Sequence, residues 1–152
     1  MKKVLMIAST GGHLEEVMAL QALKEKYHTV LVTEQTVYDI HPWQEKTYIL
    51  HQVNRKRLLD ILRYPGIMLK ELNILNHEKP DAVLSTGAMI AFPMLLFAKL
   101  KGIKTIFVEC MFNTDHSTLT GKLAYKFVDL FIVQWESMLK VYPNAVFGGR
   151  VF

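Results

Sequence analysis

Val4-Leu5-Met6-Ile7-Ala8-Ser9-Thr10-Gly11-Gly12-His13-Leu14 is the stretch on which the reading of this chain turns. Val4 to Ser9 is an apolar run of strand length, the pattern of a parallel strand covered on both faces. The glycines end it. From Leu14 to Lys26, apolar Leu14, Val17, Met18, Leu20 and Leu23 recur at helical spacing, with Glu15 and Glu16 in the first turn where the helix dipole favours them. Thr29 to Thr33 is a second β-branched run. Strand, helix and strand within about 30 residues make a βαβ unit.

The same alternation continues downstream. Lys46 to Leu50 is expected as a third strand, and Leu58 to Asn76 as helix, broken near Tyr64-Pro65-Gly66. Asp81 to Ser85 reads as a strand and Thr86-Gly87-Ala88 as the turn after it. Pro93 stands near the start of a helix that Gly102 caps. Lys104 to Val108, Leu130 to Val133 and Ala145 to Phe147 are expected strands. Leu119 to Phe127 and Ser137 to Tyr142 are expected helices. The fold class is therefore α/β: one Rossmann-like domain over residues 1–152, with a mostly parallel sheet and helices on both faces.

Composition narrows the function classes. The chain is 51% hydrophobic and 21% charged, enough to build a core and ordinary enough to argue against disorder. Lys and Arg total 18 against 14 for Asp and Glu, a mild excess that allows anionic partners. No zinc-finger spacing, ribonucleoprotein motif or dense basic run points to nucleic acid. Cys110 is the one cysteine, which excludes a disulfide scaffold and suits a reducing compartment. It reads as a small buried hydrophobe, because no activating base stands near it in sequence. The longest apolar candidate for a membrane span, Met89 to Leu100, contains Pro93 and Lys99, so the chain is not expected to cross a bilayer by itself.

In open parallel sheets, ligands sit outside the carboxyl ends of the strands. Three segments fall there: Ser9 to His13, Ser85 to Met89 and Glu109 to Ser117. The first is a glycine loop opening a helix, suited to an anion. It lacks the Gly-Lys-Ser/Thr of a Walker loop and the third glycine of a dinucleotide fingerprint. Thr10, Gly11 and Gly12 are candidate binding residues, and His13 a general base or a hydrogen-bonding group to a substrate oxygen. Glu34, roughly 20 residues after the loop, sits where dinucleotide enzymes hold a ribose, which keeps a nicotinamide or flavin oxidoreductase as an alternative. Ser85, Thr86 and Gly87 offer hydroxyls and amides to a phosphate or sugar. Glu109 is expected to point into the crevice, with Asn113 and His116 beside it. Asp115 and His116, being adjacent, make a poor chelate, so no metal is expected. Arg55, Lys56, Arg57 and Arg63 surround Leu58, Leu59, Leu62 and Ile67. That pattern suits either an anionic membrane surface or a core-facing helix with a basic edge.

Ser9-Thr10-Gly11-Gly12-His13-Leu14, Ser85-Thr86-Gly87, Glu109, Ser117-Thr118-Leu119-Thr120-Gly121-Lys122, Asp129-Leu130-Phe131-Ile132-Val133-Gln134-Trp135, Tyr142-Pro143 and Gly148-Gly149 occur in this order. Together they resemble the asparagine-linked glycosylation protein 14 family and its bacterial relatives in capsule and exopolysaccharide synthesis. The resemblance implies the N-terminal, acceptor-binding half of a GT-B glycosyltransferase. It implies a heterodimer whose donor-binding subunit holds the nucleotide-sugar, and a polyprenyl-diphosphate-linked sugar as acceptor. On that footing the chain is expected to be a subunit of an inverting, metal-independent hexosyltransferase with no cofactor, weak or inactive alone. The alternative is a non-catalytic enhancer that recruits its partner. The Gly11-Gly12-His13 loop would face the acceptor diphosphate, with His13 and Glu109 catalytic. Gln134, Trp135, Tyr142, Gly148 and Gly149 would help dock the partner. Eukaryotic members carry an N-terminal membrane helix. Here the contact is expected from Arg55 to Lys70, on the cytoplasmic face of the cell membrane.

Overall fold

The computed structural model describes residues 1–36, 40–52 and 58–152, the side chains of 58–61 excepted. Seven strands form one sheet: β1 (Lys2–Ala8), β2 (Tyr27–Glu34), β3 (Lys46–Leu50), β4 (Ala82–Gly87), β5 (Lys104–Val108), β6 (Leu130–Val133) and β7 (Val146–Phe147). Their order is β3-β2-β1-β4-β5-β6-β7, and every pairing is parallel. Between them run α1 (Gly12–Ala19), α2 (Leu58–Glu78), α3 (Ala91–Leu100) and α4 (Leu119–Ala124), with 3₁₀ turns at Gln21–Glu25 and Glu136–Lys140.

The period-2 alternation of β1 divides the core. Leu5 and Ile7 pack on one face with Ile74 and Leu75 of α2 and Met94, Leu95 and Ala98 of α3. Val4, Met6 and Ala8 pack on the other with Leu14 and Val17 of α1. The α/β class with helices on both faces is thus what the chain adopts.

Three local expectations are corrected. The first helix stops at Ala19 because its last turn tightens and the Trp43 indole N–H takes the Met18 carbonyl at 2.9 Å. Helix α2 runs unbroken through Pro65 and Gly66. Proline forfeits one bond there, but Ile67, Ile74 and Leu75 pack on the sheet beyond it, and tertiary packing outweighs the local cost. The turn expected at Thr86 belongs to β4, where Ile7 pairs with Ser85 and Ala8 with Gly87. Thr86 is therefore an extra residue in the ladder.

Glu71 on the inner face of α2 is fully buried, and neither carboxylate oxygen has a hydrogen-bond partner among the described residues. Burial pushes its pKa up to about 9; the nearby Met94 amide opposes the shift and Glu34 reinforces it. A raised carboxyl pKa stabilises the fold below the unfolded value and loses that contribution as pH rises through the folded one. Glu71→Met is therefore expected to stabilise the protein at pH 7 by about 1–3 kcal/mol, the cost of a buried unpaired polar group. The gain, read from urea midpoints, should be larger at pH 8.5 than at pH 5.

Candidate functional site

Strand order reverses direction between β1 and β4, so their connections leave on opposite sides of the sheet and open a crevice at its carboxyl edge. The glycine loop lies there. Gly11 caps α1 with φ +83° and ψ −145°, a backbone region open essentially to glycine alone, and its carbonyl accepts from the amides of Leu14 and Glu15. Thr10 and Gly12 are half-buried and Gly11 is exposed.

The His13 ring crosses to β4. Its Nδ1 donates to the Thr86 carbonyl at 2.9 Å, while the Thr86 hydroxyl donates back to the His13 carbonyl at 2.7 Å. The ring lies against Gly87, where a Cβ would stand 2.7 Å from its Cε1. Burial works against a charged imidazole here. The sulfur of Cys110 and the carboxylate of Glu16 overcome that and raise its pKa to about 10. A pKa raised this far favours the protonated ring, and with it the second of the two expected roles, a hydrogen-bonding group, over the general base.

Glu16 is the residue that sequence reading passed over as a helix-dipole carboxylate. It is fully buried three residues after His13, with Oε2 3.7 Å from the ring Nδ1. Oε1 accepts from the Met111 amide at 2.7 Å and from Gln134 Nε2 at 2.8 Å. The i, i+3 spacing of His13 and Glu16 was a signal available in the sequence. The base near Cys110 was not, since it arrives from the other end of the chain.

Several expected ligand groups serve the scaffold instead. Glu109 is 1% exposed and does not face the crevice. Its Oε1 accepts from the Cys110 amide, Asn113 Nδ2 and Thr118 Oγ1, and its Oε2 from Tyr142 Oη at 2.8 Å. Burial and this carboxylate together push the Tyr142 hydroxyl's pKa upward. Asn113 is consumed in the same network. Ser85 is buried and bonded to Gly87, and Thr86 is buried against the His13 backbone. Gln134 and Tyr142, expected to dock a partner, are buried internal ties. Trp135 is half-buried, its indole N–H donating to the Met111 carbonyl at 2.6 Å and its face stacked under Arg150. Gly148 stays exposed beside β7, whose Val146 and Phe147 are half exposed, and Gly149 is half-buried. His116 is exposed and paired with Asp115. Glu34 ends β2 in a buried position.

What faces the crevice beside the loop and His13 is Phe112. It is 68% exposed, and its ring lies over Gly12, where a Cβ would meet Cε2 at 2.8 Å. The preceding residue is clamped from both sides, Met111 N–H by Glu16 and Met111 C=O by Trp135. A groove of about 530 Å³ opens beyond the end of β3, lined by His51, Leu62, Arg63, Gly66, Ile67 and Lys70. Arg55, Lys56 and Arg57, and the side chains of Leu58 and Leu59, lie outside the described residues. Leu62 and Arg63 are exposed, whereas Ile67 is 4% exposed and belongs mainly to the core, because it sits on the sheet-facing side of α2. No helix among the described residues is long and apolar enough to cross a membrane.

A doubly wound parallel sheet with a glycine loop at its switch point defines a Rossmann-like fold of the GT-B kind. Among solved structures, MurG of Acinetobacter baumannii matches with a TM-score of 0.71 at 19% identity, over 90% of this chain and 43% of that one. UDP-N-acetylglucosamine 2-epimerase of Rickettsia bellii matches at 0.74 and 18%, over 99% of this chain and 45% of that one. The family model for oligosaccharide biosynthesis protein Alg14 like matches residues 67–151, and the chain belongs to this family. It is similar to the human UDP-N-acetylglucosamine transferase subunit ALG14, 25% identical over 97% of this chain and 82% of that protein. It is also 33% identical, over 95% of its length, to the UDP-N-acetylglucosamine--N-acetylmuramyl-(pentapeptide) pyrophosphoryl-undecaprenol N-acetylglucosamine transferase of Thermoanaerobacter sp.. The match spans 42% of that enzyme.

Proposed function

We propose that this chain is the acceptor-side subunit of a two-component glycosyltransferase. It works with a donor-binding partner to add a sugar from a nucleotide-sugar to a polyprenyl-diphosphate-linked sugar, in capsular, exopolysaccharide or lipid-linked oligosaccharide synthesis. The observation that carries this reading is the His13 ring, its pKa raised, beside the Gly11-Gly12 loop, at the switch point of a sheet whose sequence relatives include a pyrophosphoryl-undecaprenol transferase. A diphosphate needs close backbone approach, a helix N-terminus and positive charge, and this loop offers all three. A division of labour, with one wall of the cleft here and the other on a second chain, is supported by the name of the human relative, a transferase subunit that this chain matches over 82% of that protein's length. The groove combining Arg63 and Lys70 with Leu62 suits a lipid-linked acceptor at a membrane surface, where the chain would bind peripherally.

The test is a transfer assay with nucleotide-sugar and polyprenyl-diphosphate-sugar, run on this chain alone, on its candidate partner alone and on both. Turnover is expected only from the pair. Full activity from this chain alone would sink the two-component reading, and stoichiometric binding of a nicotinamide or flavin would favour the oxidoreductase. Phe112 supplies a second check. A clamped, exposed ring over the loop is a stacking wall for the acceptor's first sugar or isoprenoid unit. Phe112→Ala is expected to raise acceptor KM by roughly fivefold, about 1 kcal/mol, with the melting temperature unchanged.

A further inference from the structure

Cys110 follows Glu109 at the end of β5, is 7% exposed and is a free thiol. The fold sets it against α1. A ring nitrogen of His13, a carboxylate oxygen of Glu16 and the sulfur of Cys110 all lie within 4.8 Å of one another. Thiolate, imidazole and carboxylate are the donor types that hold zinc-class cations. Glu16 is fully buried, and its Oε2 has no hydrogen-bond partner among the described residues although it stands 3.7 Å from His13 Nδ1. A buried carboxylate oxygen left without a hydrogen bond is expensive, and its neighbour at 3.7 Å is the His13 ring.

From this geometry we infer that His13, Glu16 and Cys110 form a binding site for one borderline-soft divalent cation of the zinc class. Donor atoms on a tetrahedral zinc stand roughly 3.3–3.8 Å apart, given bonds of about 2.0–2.3 Å, so the cluster needs to close by roughly 1.5 Å at most. Supporting contacts are already in place. The Thr86 carbonyl fixes the His13 ring through Nδ1–H, and Met111 N–H and Gln134 fix the other oxygen of Glu16. Metal-binding histidines and carboxylates are oriented in this way. His13 retains 26% side-chain exposure, which gives the ion a route in and leaves a coordination position for water. The exposed Asp115–His116 pair has no third donor beside it among the described residues and serves as the comparison. Metal binding alone decides this inference; a metal-bound His13 ring is neutral, so the ion and the protonated ring are alternative states of one site.

The experiment is a titration of the chelator-stripped full chain with Zn²⁺ in competition with a chromogenic chelator. It is repeated with Co²⁺, whose thiolate charge-transfer band reports a sulfur ligand. One equivalent is expected to bind at micromolar concentration or tighter, with that band present. Cys110→Ser should abolish the band and weaken Zn²⁺ binding at least tenfold, and Glu16→Gln should weaken it similarly. His116→Ala should change nothing. Cys110→Ser, nearly isosteric, carries the test where Glu16→Gln does not fold. Absence of stoichiometric binding, or binding unchanged in Cys110→Ser, overturns the assignment.

Discussion

Gly121→Ala is expected to cost more stability than any other single methyl added to this chain. Gly121 lies buried in α4, and a Cβ there would overlap Glu109 Oε2 and stand 2.6 Å from Tyr142 Oη and 2.8 Å from Thr118 Oγ1. None of these can yield cheaply, since each is tied to the others by the hydrogen bonds around the Glu109 carboxylate. Overpacking a core costs about 1–3 kcal/mol, and breaking a buried charged network costs about 3–5 kcal/mol. Either is a large part of the roughly 5–15 kcal/mol that holds a domain together. Urea unfolding should show the midpoint collapsing, or no folded protein at all. Gly66→Ala, on an open side of α2 where a Cβ meets nothing within 4 Å, is the control, expected neutral or slightly stabilising. An unchanged midpoint for Gly121→Ala would refute the account of Glu109 as the centre of a packed network.

His13→Gln should have the largest effect on turnover. Loss of a charged donor at a developing or resident anion commonly costs about 10²–10³-fold in rate, and the assembled pair is expected to lose that much. Turnover that survives intact would instead favour the non-catalytic, recruiting role. The pH profile of chelator-treated protein separates the roles of the ring. With a pKa near 10, a cationic His13 keeps working through neutral pH and fails only as pH approaches that value. A general base would switch on as pH rises. Stability carries the same sign. The raised pKa contributes fully below 6.5 and is lost as pH rises through about 10, so the wild type should weaken on the alkaline side more than His13→Gln does.

The apolar run of β1 and the strand–helix alternation made the fold class legible, because buried parallel strands and amphipathic helices leave opposite signatures in a sequence. The site was legible only in outline. Position at a strand end places Glu109 near the crevice, but whether its carboxylate faces ligand or core depends on the space that Gly121 leaves across the fold. Ser85 and Thr86 looked like ligand hydroxyls because nothing in their neighbourhood shows the bulge that spends them on backbone. Cys110 gains its neighbours from α1, and sequence distance hides such a meeting. Helix α2 was ambiguous for the opposite reason. Its pattern holds both a solvated edge, Leu62, Arg63 and Lys70, and an inward face, Ile67, Glu71 and Leu75, and composition alone does not separate them.

The side-chain amide of Gln134 touches the beginning, the middle and the end of the chain. It donates to Glu16 in α1 and to the Glu109 carbonyl after β5, and it accepts from the Val151 amide at 3.0 Å. One planar group thus ties together three segments that are distant in sequence. Displacing the last residues must either break the Val151 bond or shift the amide that steadies Glu16, the carboxylate flanking His13. Whatever grips the segment around Val151 pulls on a rod whose other end is the carboxylate beside His13.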